Sequence, residues 1–163
     1  MKRALCLLTV TVCLLFASVC FAATDEGYIK LLEAKATQGN TWAQFRLGYM
    51  YFKGNGVKQD LAKAIEWHEK AAAQGHVSAQ FNLGYMYYNG KGVKQNHITA
   101  KEWFDKAADQ GLANAQFALG VMYYNGKGVK QNHITAKEWF EKSCKKGYEP
   151  ACNRYKLQYE QGH

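Results

Sequence analysis

The chain has 163 residues, with 21 Lys and Arg against 13 Asp and Glu, and a single proline. That length bounds it to one domain or one short repeat array. The positive charge is spread along the chain rather than gathered in a patch. This argues against nucleic acid as a partner and weakly favours acidic proteins or anionic surfaces.

The first element is a leader. Met1-Lys2-Arg3 is basic, Ala4–Val19 is almost entirely apolar, and Cys20-Phe21-Ala22 places small residues where a signal peptidase needs them. Residues 1–22 therefore read as a secretory signal peptide and predict export, to the periplasm or beyond. An uncleaved anchor is the other reading, although the apolar run is shorter than the roughly 20 residues a span requires. Val19 is bulky for the position before a lipid-attached cysteine. Cleavage would remove Cys6, Cys13 and Cys20, leaving Cys144 and Cys152 in an oxidising compartment.

The remainder, 23–163, repeats itself. "YYNGKGVKQNHITAKEWF" occurs at 87–104 and again at 123–140. Gly39, Gly75, Gly111 and Gly147 mark a period of 36 residues. Full units are expected at 39–74, 75–110 and 111–146. A capping helix is expected at 25–38 and a capping half unit at 147–163. A fixed period in this range predicts stacked supersecondary units, each needing its neighbours to bury its apolar face.

Each unit reads as two helices. In the first, Ala43, Leu47, Met50 and Tyr51 fall on one face at helical spacing. Gly48, Gly84 and Gly120 interrupt these helices at a cost of about 1 kcal/mol each against alanine, which predicts close approach of a neighbour. The second helices start at the N-cap residues Asp60, Asn96 and Asn132. Their apolar stripe is Ala64, Trp67, His68, Ala71 and Ala72, and each ends in a glycine stop such as Gln74-Gly75.

The paired glycines and lysines of "NGKGVKQN" invite a phosphate-loop reading. They lack the Gly-x-x-x-x-Gly-Lys-Ser/Thr spacing and follow a helix rather than a strand, so a turn between antiparallel helices explains them better. His97 and His133 occupy equivalent positions, but two imidazoles without a third ligand make a poor zinc site, and no metal or cofactor is expected. Ser143-Cys144-Lys145-Lys146 spells Ser-x-x-Lys without the companion motifs of a penicillin-binding serine enzyme.

On a helical wheel the side opposite the core stripe carries Trp42, Arg46, Tyr49 and Lys53 in the first unit. The second has Ser78, Asn82, Tyr85 and Asn89. The third has Asn114, Ala118, Val121 and Asn125, with Arg154 beyond. The core stripe barely changes between copies, while this stripe changes at most positions. Tyr, Trp and Arg are common interface anchors, which makes the stripe the candidate partner surface and Trp42 its strongest member.

Ala-Gln-Phe-x-Leu-Gly-x-Met-Tyr at 79–87, Gly-x-Gly-Val at 90–93 and Ala-x-x-Trp-x-x-Lys-Ala-Ala at 100–108 resemble the Sel1-like repeat family, a relative of the tetratricopeptide repeats. The resemblance runs from about Ala23 to Gln161. It implies an all-α, right-handed solenoid of stacked antiparallel helix pairs. It also implies a scaffold or adaptor that binds a protein or peptide, here a partner that would be acidic if charge guides it, through a concave groove. In related arrays the variable stripe lines that groove. A single chain is the expected state. Contact with a membrane surface is compatible with the charge, but nothing in the pattern calls for it.

Secreted cysteine-rich members of the family use the spacing "CKKGYEPAC" for a disulfide, implying a bond between Cys144 and Cys152. Some of these carry a β-lactamase label, so a penicillin-binding or cell-wall activity stands as the enzymatic alternative to a non-enzymatic scaffold. A periplasmic immunity or inhibitor protein is a further alternative.

Overall fold

A computed structural model describes residues 26–160, built of helices, turns and loops. Helix α1 covers 26–37. It is followed by α2 Thr41–Lys53, α3 Leu61–Ala73, α4 Val77–Asn89, α5 His97–Asp109, α6 Ala113–Asn125, α7 His133–Lys145 and α8 Glu149–Tyr155. The last runs on into a π-helical stretch, Lys156–Glu160. Helices α2 to α7 each have 13 residues, so every unit repeats the same helix, loop and turn lengths. The leader read at 1–22 lies outside the described residues.

Local chemistry sets these boundaries. Asp60, Asn96 and Asn132 accept from backbone amides of the first turn and start the second helices. Gly54, Gly90 and Gly126 end the first helices in the left-handed conformation, at φ 75°, 66° and 67°. The loop then folds back, with Gln59, Gln95 and Gln131 donating Nε2–H to the carbonyls of Phe52, Tyr88 and Tyr124 at 2.9, 2.8 and 2.7 Å.

Two sets of glycines bring helices together. A Cβ built on Gly84 would lie 2.5 Å from Cδ1 of Phe104, and one on Gly120 would lie 2.6 Å from Cδ1 of Phe140. The second helix of a unit thus lays an aromatic ring directly on the backbone of the first. In the first unit the ring is His68, over Gly48. The second set joins one unit to the next. Gly92 has a positive φ, and a Cβ there would meet Cβ of Leu61 at 2.5 Å. Gly128 approaches the carbonyl of His97 in the same way.

Between units, Ala64, Ile65, Ala71 and Ala72 of α3 pack with Ala79, Leu83 and Met86 of α4, and Trp103 of α5 reaches back onto this cluster. Trp139 does the same one unit later. The second helix of each unit therefore covers the core of the unit before it.

Buried glutamines close the inter-unit turns. Gln44, Gln80 and Gln116 donate to the carbonyls of Ala36, Ala72 and Ala108 at 3.0, 3.3 and 3.3 Å. Gln74 and Gln110 in turn donate to the Oε1 atoms of Gln44 and Gln80 at 2.7 and 2.8 Å. Lys146 stands where the third unit would need this last glutamine, and Oε1 of Gln116 is buried without a partner. At the last turn Cys144 and Cys152 replace the alanine–glutamine pair and form a disulfide. A covalent clamp takes the place of the hydrogen-bonded one, and closing so short a loop contributes roughly 2–3 kcal/mol.

His68 is fully buried, and its Nδ1 has no partner. Burial, with a smaller repulsion from His76, pushes its pKa down from 6.5 to about 4. An unfolded chain takes up this proton near pH 6.5, whereas the folded chain refuses it until about pH 4. Stability is therefore lost as the pH falls through that window, by up to about 3 kcal/mol. Denaturant titrations at several pH values should show this loss for the native chain and a smaller one for His68→Phe, which installs the ring of the other two units. An unchanged pH profile would contradict it.

Gly84→Ala isolates the helix-to-helix contact. Helix propensity alone would stabilise the protein by about 1 kcal/mol. The clash with Phe104 should reverse that sign and cost roughly 1–3 kcal/mol in urea denaturation. A stabilised variant would show that the helices can separate freely.

Candidate functional site

Helices α2, α4 and α6 lie side by side and turn their variable stripes to one side. Trp42 is 56% exposed on this stripe, and Arg46 is exposed. Arg46 lines a small pocket of about 180 Å³ with Tyr28, Ile29, Met50, Asn55 and Gly56. Lys53 places Nζ 5.6 Å over the Phe52 ring, and Tyr49 and Ser78 are half-buried. Asn82 contacts Nε2 of His68 at 3.3 Å through its amide. Tyr85 meets Phe52 edge-on at 6.3 Å. Arg154 sits beyond α6 with its guanidinium 5.7 Å over Tyr124.

The structure does not gather all of these into one site. Tyr85, Asn89 and Asn114 come together around an open pocket of about 330 Å³ between α4 and α6. Trp42, Arg46, Tyr49, Lys53, Ser78, Asn82 and Arg154 lie outside it. Half of the lining was not on the candidate stripe: Phe81, Tyr88 and Phe104 on one side, Phe117 and Tyr148 on the other. Phe81 and Phe117 are the same residue in every copy, so a comparison of copies reads them as core. Their one legible signal is that Ala118 and Val121, on the stripe beside them, are smaller than their counterparts.

That difference in size opens the pocket. At the α2–α4 junction, Asn82 reaches His68, Tyr85 covers Phe52, and His76 stacks on Phe45 with ring centroids 4.3 Å apart. One unit later, Ala118, Val121 and Leu112 occupy the positions of Asn82, Tyr85 and His76. The bulk that fills the first junction is missing at the second, and aromatic walls remain. Asn89 spends Nδ2–H on the Tyr85 carbonyl at 2.8 Å, which leaves its Oδ1 at the rim.

Charge is sorted as well. Residues 41–59, 77–95 and 113–131, which form α2, α4, α6 and their loops, contain no Asp or Glu. They hold Arg46, Lys53, Lys58, Lys91, Lys94, Lys127 and Lys130. The ion pairs among the described residues all lie within α1, α3, α5 and α7: Glu26–Lys30, Glu66–Lys70, Asp105–Lys101 and Glu141–Lys145. Surface pairs of this kind add little stability, so their consequence here is to leave the basic groups of the first helices uncompensated by their own neighbours.

Comparison with known proteins identifies the family. The Sel1 repeat family profile matches residues 43–76, 77–112 and 113–148. The chain belongs to the Sel1 repeat family. A Sel1 repeat protein from Oxalobacter formigenes is 38% identical, with a TM-score of 0.70 over 77% of this chain and 94% of that one. Cysteine rich protein B of Helicobacter pylori is 30% identical, with a TM-score of 0.61 over 77% and 95%. A protective antigen of uropathogenic Escherichia coli with an SLR fold is 40% identical, with a TM-score of 0.78 over 80% of this chain and 28% of its own. Among curated proteins, the secretory immunoglobulin A-binding protein EsiB of Escherichia coli O6:H1 is 42% identical over 71 residues. That segment is 44% of this chain and 14% of the relative, so the match spans only a small part of that Sel1-related protein's length. The architecture is the right-handed α-solenoid of this Sel1 family, built on the 36-residue period.

The Ser-x-x-Lys sequence is part of the Sel1 scaffold. Ser143 is fully buried, and its hydroxyl donates to the Ala113 carbonyl at 2.7 Å. It stands where the other units have Ala71 and Ala107. Ser143→Ala should cost about 1 kcal/mol for the lost hydrogen bond. Mass spectrometry after incubation with a fluorescent penicillin should find no adduct at Ser143, and an acyl group on this side chain would contradict the assignment.

Proposed function

We propose that the chain is an exported, non-enzymatic scaffold that binds a protein or peptide along the concave face formed by α2, α4 and α6. The observation that carries this reading is the open aromatic pocket on a first-helix stripe that differs between copies, while the core stripe of the same helices is nearly identical. A repeat array needs a constant core to stack and is free to vary where it meets a partner. Export is supported by the basic and apolar leader and by the disulfide, which suits an oxidising compartment. The relative named for binding immunoglobulin A supports a protein ligand as the class of partner.

The groove contains three regions: Trp42 and Arg46 at the N-terminal end, the α4–α6 pocket in the middle, and Arg154 at the far end. Affinity purification from envelope extract tests whether this face is the binding surface. A variant with Trp42, Arg46, Tyr85 and Asn114 all changed to alanine should lose the captured partner. A second-helix control, Glu69→Ala with Glu102→Ala, should keep it, and both should melt like the parent. Capture lost only in the control would place the partner on the opposite side.

A further inference from the structure

We infer that the α4–α6 pocket takes a bulky apolar side chain carried on an acidic peptide segment. This rests on the proposed groove and names what it selects. The pocket walls are the rings of Phe81, Tyr88, Phe104, Phe117 and Tyr148, with Ala118 and Val121 leaving room beside them. A volume of about 330 Å³ lies at the small end of ligand-binding cavities. It suits one large side chain with its own stretch of backbone. Such an anchor in a desolvated aromatic pocket is the usual source of most of the energy in an interface. Asn89 and Asn114 supply the polar part of the lining, where a main chain passing over the anchor would need hydrogen-bond partners.

The preference for acidic flanks follows from charge. Helices α4 and α6 and their loops carry Lys91, Lys94, Lys127 and Lys130 and no carboxylate. Lys127 is drawn over the pocket's own wall, with Nζ 5.5 Å from the Tyr88 ring centroid. The nearest exception in sequence is Glu149, adjacent to Tyr148. Complementary charge speeds encounter and rejects basic segments. A single-stranded nucleic acid would also suit aromatic rings and lysines. It binds by stacking successive bases along an extended track, whereas here the rings gather around one pocket.

The chain itself supplies the variant that tests this. Ala118→Asn with Val121→Tyr writes the second copy's residues, Asn82 and Tyr85, into the third and should fill the pocket without disturbing the helix. Fluorescence anisotropy would follow three labelled peptides: an Asp/Glu-rich one with a central Phe, the same peptide with a central Gly, and one with Lys in place of every acid. The acidic Phe peptide should bind, and both alternatives should bind at least about tenfold more weakly. The double variant should lose a similar factor while its circular dichroism and melting stay unchanged. If the variant unfolds, Ala118→Asn alone, measured the same way, decides the point. Unaltered binding to the filled pocket overturns the inference. So does failure of the acidic Phe peptide to bind, or equal binding of the Lys peptide or of a single-stranded oligonucleotide. Any of these would leave the groove standing if envelope capture still depends on Trp42, Arg46, Tyr85 and Asn114. Loss of that dependence as well would remove both.

Discussion

Everything in this solenoid depends on the contact between a mid-helix glycine and a ring from the paired helix. Gly84 under Phe104 and Gly120 under Phe140 leave no room for even one methyl group. The contact sets how closely the two helices of a unit approach. It also fixes the rotation of each first helix about its own axis, because the glycine must face inward. Once that face is committed, Ala79, Leu83 and Met86 are carried into the core, and Tyr85 and Asn89 are carried to the other side. The partner-facing stripe is thus a by-product of the packing that makes stacking work.

The first unit pays for a variation on this theme. His68 keeps the planar shape that lies on glycine but brings two nitrogens into the core. One finds Asn82, and the other finds nothing. Burial keeps the ring neutral well below its ordinary titration range. The same Asn82 helps fill the α2–α4 junction, so the polar core of unit one and the closed surface above it belong together. Phe104 needs no such partner, and the surface above it, where Ala118 stands, is open.

Much of the architecture was legible from self-comparison. The period, the helix caps at Asp60, Asn96 and Asn132 and the need for close approach at the glycines all rest on local rules that the copies state three times. The pocket was not legible in the same way. Its walls are the residues that never vary, Phe81 and Phe117 among them, and invariance within a repeat looks like burial. Only a three-dimensional view shows that a constant ring becomes accessible when its neighbours shrink. Trp42 was the most conspicuous candidate by type, yet it stands apart from the cavity that the structure assembles. The glutamine clamps were equally hidden, because they join side chains about 30 residues apart to carbonyls that carry no sequence signal. They give the disulfide its meaning: it occupies the one turn from which the clamp is missing.

Sorting of charge completes the picture. The second helices hold most of the acids and pair several of them internally, while α2, α4, α6 and their loops carry bases and no acids. Shape and charge therefore single out the same helices. Site-specific photocrosslinking with a benzophenone amino acid tests that coincidence most directly. One probe would replace Tyr85, an exposed ring on the pocket wall, and another Ala62, exposed on a second helix. A partner trapped from position 85 and absent from position 62 is the expected result. Trapping from position 62 alone would contradict the assignment of the first-helix face.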